Sequence, residues 1–351
     1  MMNLSDQIGK AWKLAVVLAA LAIMAGAVSA HAAAKELVVY TALENEQIGK
    51  YLASFKEENP AVNVKIVRDS TGIITAKLLA EGKNTPADVV WGTAASSLLV
   101  LEKRGLIEPY APKGLSRVEK LLRDKANPPA WVGIDAWECA IVVNTVEAKA
   151  QGLPQIKSYK DLLKPEFKGK IVMSNPNSSG TGFLAVSGIL QLMGEKRGFE
   201  YLDGLHKNIA LYTHSGSAPA KKAAAGEFPV GISYGYAGVN QMKKGAPVEI
   251  VFPKEGSGWD VEANALIKKA AVKAEAKKFL DWAISDKAIA ALKGDYAITA
   301  VKTGAGIPEG YAKDPLSQLV KKNDLRWAAQ NRDRLLKEWA SRYEGKSEPK
   351  K

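Results

Sequence analysis

Six consecutive small residues, Asn177, Ser178, Ser179, Gly180, Thr181 and Gly182, separate an apolar β-branched run (IVMS) from an apolar run at helical spacing (FLAVSGIL). A loop between a strand's end and a helix's start exposes unpaired backbone N–H groups and the positive end of the helix dipole. Gly180 and Gly182 there would let an anion come close to that backbone. One such loop is no more than an ordinary helix cap. Here the pattern recurs in RDSTG (68–72), WGTAASS (91–97) and THSGSA (213–218), while YTALE (40–44) and SYGYAG (233–238) end the first and last strands of the series. Loops of this kind on two facing lobes would converge on one cleft for a small anionic ligand, where open α/β sheets bind.

Other chemistries find little to work with. The Gly-x4-Gly-Lys-Ser/Thr phosphate loop is absent, and NSSGTG lacks the spacing of a dinucleotide fingerprint, so the ligand is not expected to be a nucleotide. The histidines are His31, His206 and His214. Too few ligands cluster to suggest a metal, although His214 sits in a candidate loop and could hydrogen-bond an anion. No His–Asp pair has a recognisable spacing. We therefore expect no catalysis and no cofactor. Cys139, the only cysteine, lies in the apolar stretch WECAIVV and reads as a small buried hydrophobe, which leaves no partner for an intramolecular disulfide.

The elements that must hold those loops follow from periodicity. With 351 residues, 47% hydrophobic and 25% charged, the chain is globular in composition. It is also longer than the roughly 250 residues that one core usually serves, so two lobes are expected. Lys10 and Lys13 precede an apolar run over 14–28 and then SAHAAA, which predicts a cleaved signal peptide over 1–34 and an exported protein. From Lys35, β-type runs (ELVVYTA, NVKIVRD, ADVVWG) alternate with helical patterns, which predicts α/β layers on mainly parallel sheets flanked by helices. The long extended stretch WVGIDAWECAIVVNT reads as a crossover to a second set (GKIVMSN, IALYTH, PVGISYG), and PVEIVFP as the chain's return. We thus expect lobe 1 over 35–137 plus about 248–290, and lobe 2 over 138–247. Helices over 291–345 should pack outside the lobes, with a charged tail over 346–351. Trp282, Trp327 and Trp339 are expected to be core anchors. The formal charge of +12 is spread along helical segments such as KKAAVKAEAKKF, so no nucleic-acid partner is expected.

ELVVYTALE, KIVRDSTGIITAKLLAE, ADVVWG, KGKIVMSNPNSSGTG, GISYGYAG and FPKEGSGWDVEA together resemble the periplasmic 2-aminoethylphosphonate-binding proteins of ABC transporters. These belong to the type II solute-binding proteins, which also include ferric-ion, sugar-phosphate and polyamine binders. The resemblance implies a two-lobe type II periplasmic binding protein, joined by extended crossover strands and closing on its solute by hinge motion. It implies a periplasmic monomer that hands a small organophosphonate to an ABC permease in the inner membrane. On that reading Ser70, Thr71, Ser178, Ser179, Thr181 and Gly182 hold the phosphonate, with Tyr234 as a further donor. An ammonium at the other end would need Glu44, Trp91 or Asp260. A sugar phosphate would keep the anion site and change what surrounds it. Ferric ion would need the adjacent tyrosines of its binders, whereas Gly235 separates Tyr234 from Tyr236 here. A secreted phosphoesterase or phosphonate hydrolase is the rival outside the binding proteins.

Overall fold

The computed structural model describes residues 35–349 apart from Thr303 and Ala305; the expected signal peptide lies outside the described residues. Lobe 1 begins with β1 (Lys35–Thr41), α1 (Asn45–Glu58), β2 (Val62–Arg68), α2 (Thr71–Glu81), β3 (Val89–Ala94), α3 (Ala95–Lys103) and the short β4 (Ile107–Glu108). β1 runs parallel to both β2 and β3. Parallel strands joined through helices are covered on both faces, and β3 is buried at every position.

β5 (Val132–Asn144) is one strand of 13 residues, buried throughout. Its first half pairs with β10 (Trp259–Ile267) and its second half with β8 (Val230–Tyr234), so a single strand belongs to both sheets. Lobe 2 continues with α4 (Thr145–Ala150), β6 (Ile171–Ser174), α5 (Gly180–Met193), α6 (Glu195–Asn208), β7 (Ile209–Thr213), α7 (Ala218–Ala224), β8, α8 (Gly235–Lys243) and β9 (Val248–Val251). β6 runs parallel to β7 and β8.

PVEIVFP does not return the chain to lobe 1 as expected: β9 pairs antiparallel with Ile141–Asn144 of β5, within lobe 2. The return is made by β10, which lies antiparallel between β3 and β5. A β-type run does not reveal its partner, and the partner decides the lobe.

α9 (Ala274–Ala283) and α10 (Asp286–Leu292) follow, then β11 (Ile298–Thr299) and the 19-residue α11 (Leu325–Tyr343). Trp282 packs in the lobe 1 core, while Trp339 and the half-buried Trp327 belong to the lobe 2 core. Each lobe therefore has its own cluster, the second completed by Leu335, Trp339 and Tyr343 of α11. Cys139 is buried in that cluster, and burial pushes its thiol up to about 12. The charged tail is docked along 346–348: Lys346 donates to the carbonyls of His206 and Ile209, and Ser347 bridges Tyr212 at the β7 edge.

Candidate ligand-binding site

Between the lobes lies a pocket of about 360 Å³, counting its open mouth. Strand ends of lobe 1 supply Ala42, Glu44 and Arg68, and the start of α2 supplies Ser70 and Thr71. Lobe 2 supplies Ser179, Gly180 and Thr181 at the start of α5, Gly216 before α7, and Tyr234 at the end of β8. The crossover strands supply Trp137 from β5 and Glu262 from β10.

One half of this pocket is built to donate hydrogen bonds. Ser70 is the N-cap of α2 without a side-chain cap bond, and Ser179 is the N-cap of α5, its hydroxyl oxygen accepting from the Gly182 N–H at 3.3 Å. The hydroxyl proton of Ser179 is thereby left to donate elsewhere. Among the described residues the hydroxyls of Ser70, Thr71 and Thr181 have no hydrogen-bond partner, though all three residues are buried. Two helix N-termini from opposite lobes meet here, and Arg68 adds a formal positive charge. The arrangement suits a compact oxyanion.

The other half carries carboxyl groups. Arg68 Nη2 lies 3.1 Å from Glu44 Oε2, and Lys221 Nζ lies 3.8 Å from the same oxygen. The Tyr234 hydroxyl donates to Glu44 Oε1 at 3.4 Å, and Trp137 packs edge-on against the Tyr234 ring. Burial holds the Tyr234 phenol far above its usual range, so it remains a neutral donor. Glu262 has one buried oxygen without a partner, and burial pushes its carboxyl up to about 8.

Five sequence expectations are corrected in position. Trp91 lies in the lobe 1 core, edge-on to Phe279 and beside Trp282, because β3 is covered on both faces until its end. Asp260 turns away from the pocket, accepting from the Val261 N–H at 2.7 Å and the Ser96 N–H at 3.4 Å. Ser178 donates to the His214 carbonyl at 2.7 Å, so its hydroxyl braces one loop against another. Gly182 backs onto the Ser174–Pro176 backbone, where any side chain would collide, and its N–H is taken by Ser179. His214 gives its backbone N–H to Glu348 in the docked tail and is not among the pocket residues.

Comparison with known proteins places this geometry. Residues 84–332 match the family model described as bacterial extracellular solute-binding protein. The chain belongs to that family.

An uncharacterised protein of Haemophilus influenzae is 31% identical over 89% of this chain and 92% of its own length. The Fe(3+)-binding periplasmic protein of Serratia marcescens is 25% identical over 76% of this chain and 78% of its own. Among solved structures, the periplasmic binding protein AfuA from Actinobacillus pleuropneumoniae, with exogenous fructose-6-phosphate bound, superposes with a TM-score of 0.81 at 29% identity. The match covers 88% of this chain and 99% of that one. The Serratia and Actinobacillus relatives are periplasmic binding proteins by name, and the α/β fold of this solute-binding protein matches that of the second.

Sequence reasoning missed Arg68, Trp137 and Glu262 as pocket residues. Arg68 lay inside a motif already singled out, RDSTG. Trp137 and Glu262 lie inside strands, where alternation alone cannot say which face meets a cleft. One signal was present: Glu262 is two residues from Asp260, so the strand period put a second carboxylate in reach.

Proposed function

We propose that this solute-binding protein is exported to the periplasm, captures 2-aminoethylphosphonate between its lobes and delivers it to an ABC importer. The observation that carries the reading is the set of partnerless hydroxyls on Ser70, Thr71 and Thr181, joined by Ser179, at two helix starts facing each other from opposite lobes. Neutral donors of this kind hold a tetrahedral oxyanion by charge-assisted bonds. The carboxyl groups a short distance away suit a ligand whose other end is an ammonium. The resemblance in RDSTG and NSSGTG points to the same class.

A second reading is a sugar phosphate. It is favoured by the relative that carries fructose-6-phosphate, since a phosphate monoester presents the same tetrahedral oxyanion. Ferric ion has less support. The Tyr236 ring lies 6.1 Å from that of Tyr234, but it stacks on Tyr296 at 5.4 Å and is not among the residues that line the pocket.

Calorimetric titration with 2-aminoethylphosphonate, ethylphosphonate, phosphate, glucose 6-phosphate and ferric citrate tests the reading. The aminophosphonate should bind most tightly. A clear preference for glucose 6-phosphate or ferric citrate would overturn it in favour of the corresponding alternative.

A further inference from the structure

The two carboxylates that line the pocket differ in how their charge is compensated. Glu44 sits between Arg68 and Lys221 and also receives the Tyr234 hydroxyl, so its charge is balanced within the protein. Glu262 has no such cation among the described residues. The groups that face it are Asp135 of β5, directly across the β5–β10 pairing, Tyr296 from the segment before β11, Glu44 at the start of α1, and Asp260 on its own strand. The Tyr234 and Tyr51 phenols feel its field from β8 and α1.

Asp135 is wholly buried, and neither of its oxygens finds a donor outside the Glu262 carboxyl among the described residues. Two carboxyl groups in contact, with no cation beside them, hold at least one proton between them. Trp137 is 6% exposed, lines the same pocket, and its indole N–H also has no partner among the described residues. On the far side, the Tyr296 hydroxyl accepts from Gln47, which also reaches Tyr51, so Glu262 is braced from behind.

We infer that Glu262, backed by Asp135 and lining the same pocket as Trp137, is the group that receives the ligand's ammonium. The inference rests on the aminophosphonate reading and assigns the end of the ligand that the sequence left among Glu44, Trp91 and Asp260. It also fixes what happens to the proton. The ammonium arrives with its positive charge, the carboxyl pair gives up the proton it shared, and that proton leaves to solvent, so charge in the pocket is conserved. Trp137 adds a π face for the cation.

The test is calorimetry of 2-aminoethylphosphonate, ethylphosphonate and fructose 6-phosphate with wild type, Glu262→Gln and Asp135→Asn, at neutral pH in two buffers of different ionisation enthalpy. Wild type should prefer the amino compound by about ten- to a hundredfold. Glu262→Gln should remove most of that preference while leaving ethylphosphonate within about threefold, which also shows that the variant is folded. The proton released when the amino compound binds wild type should be reduced in Glu262→Gln. The phosphonate's own titration is common to both proteins and cancels in that difference. Asp135→Asn should change proton release more than affinity. A Glu262→Gln protein with unchanged preference for the amine, or unchanged proton release, would overturn the inference and leave the phosphonate reading standing. Wild type that binds neither phosphonate would overturn both. A Glu262→Gln loss confined to fructose 6-phosphate would show that the residue receives sugar hydroxyls, which also overturns it.

Discussion

The Gly72 N–H donates to the Ser178 carbonyl across the cleft at 3.0 Å, joining the start of α2 in lobe 1 to the turn before α5 in lobe 2. A side chain on Gly72 would overlap the carbonyl oxygens of Asn177 and Ser178, and one on Gly180 would meet the Thr71 side chain. The two helix starts therefore touch through glycine, with no room for a Cβ on Gly72.

Gly72→Ala should accordingly hold the lobes apart without unfolding either one. The obstacle is backbone and cannot rotate away, so closure should lose about 1–3 kcal/mol. The expected result is weaker ligand binding with little change in melting temperature, and a larger radius of gyration in solution scattering with ligand present. Full affinity in Gly72→Ala would show that this contact is not part of the bound form.

Removing single hydroxyls should separate ligand contacts from braces. Thr181→Val and Ser70→Ala should each cost about 1.5–3 kcal/mol of binding to an anionic ligand, because each removes a donor to a charged oxygen. Ser178→Ala should instead lower stability, since its hydroxyl is bonded to the His214 carbonyl. Titration calorimetry beside thermal melting reads both quantities, and the reverse pattern would redraw the anion site.

Stability should fall as pH rises from about 4 to 8. Burial raises Glu138 and Glu262 to about 8 and Asp260 to about 6, the last with the Arg332 guanidinium and neighbouring N–H groups pulling the other way. In that window the folded chain keeps protons that the unfolded chain has released, so ΔG of unfolding decreases with pH. Asp161, held low by its bond to Lys164, acts oppositely: its contribution is lost only as pH falls below the usual carboxylate range. Melting curves of ligand-free protein should show an optimum on the acid side of neutrality, and Glu138→Gln should flatten the alkaline slope.

Deleting residues 346–351 should loosen the rim of the anion site. Lys346 closes two carbonyls of lobe 2, and Glu348 accepts the His214 N–H at 2.8 Å, next to the loop that carries Gly216. Faster hydrogen exchange over 212–217, with a stability loss of about 1–3 kcal/mol, is expected. Unchanged exchange there would show that the docked tail does not support the loop.

Local patterns that report their own environment were legible. Strand runs, helix starts and hydroxyl loops carry their period and capping chemistry in adjacent residues, and these gave two α/β lobes with a cleft at the strand ends. Pairing over long distance was not legible: β9 reads as a strand, but only its register with Ile141–Asn144 assigns it to lobe 2. Face was not legible inside buried strands either. Trp91 and Trp137 are both aromatics in apolar runs, yet one meets Phe279 in the core and the other meets Tyr234 in the cleft. Asp260 and Glu262 share a face of β10, yet the first accepts from the Ser96 N–H while the second sits across from Asp135, a difference that the strand period does not report.

The placement of α11 sets when the protein can fold as it leaves the ribosome. The lobe 2 core includes Leu335, Trp339 and Tyr343, although the last strand of that lobe ends at Val251 and α11 begins at Leu325. At about 5–20 residues per second, several seconds of synthesis separate the two. Through that interval lobe 2 lacks one wall of its core and stays loose.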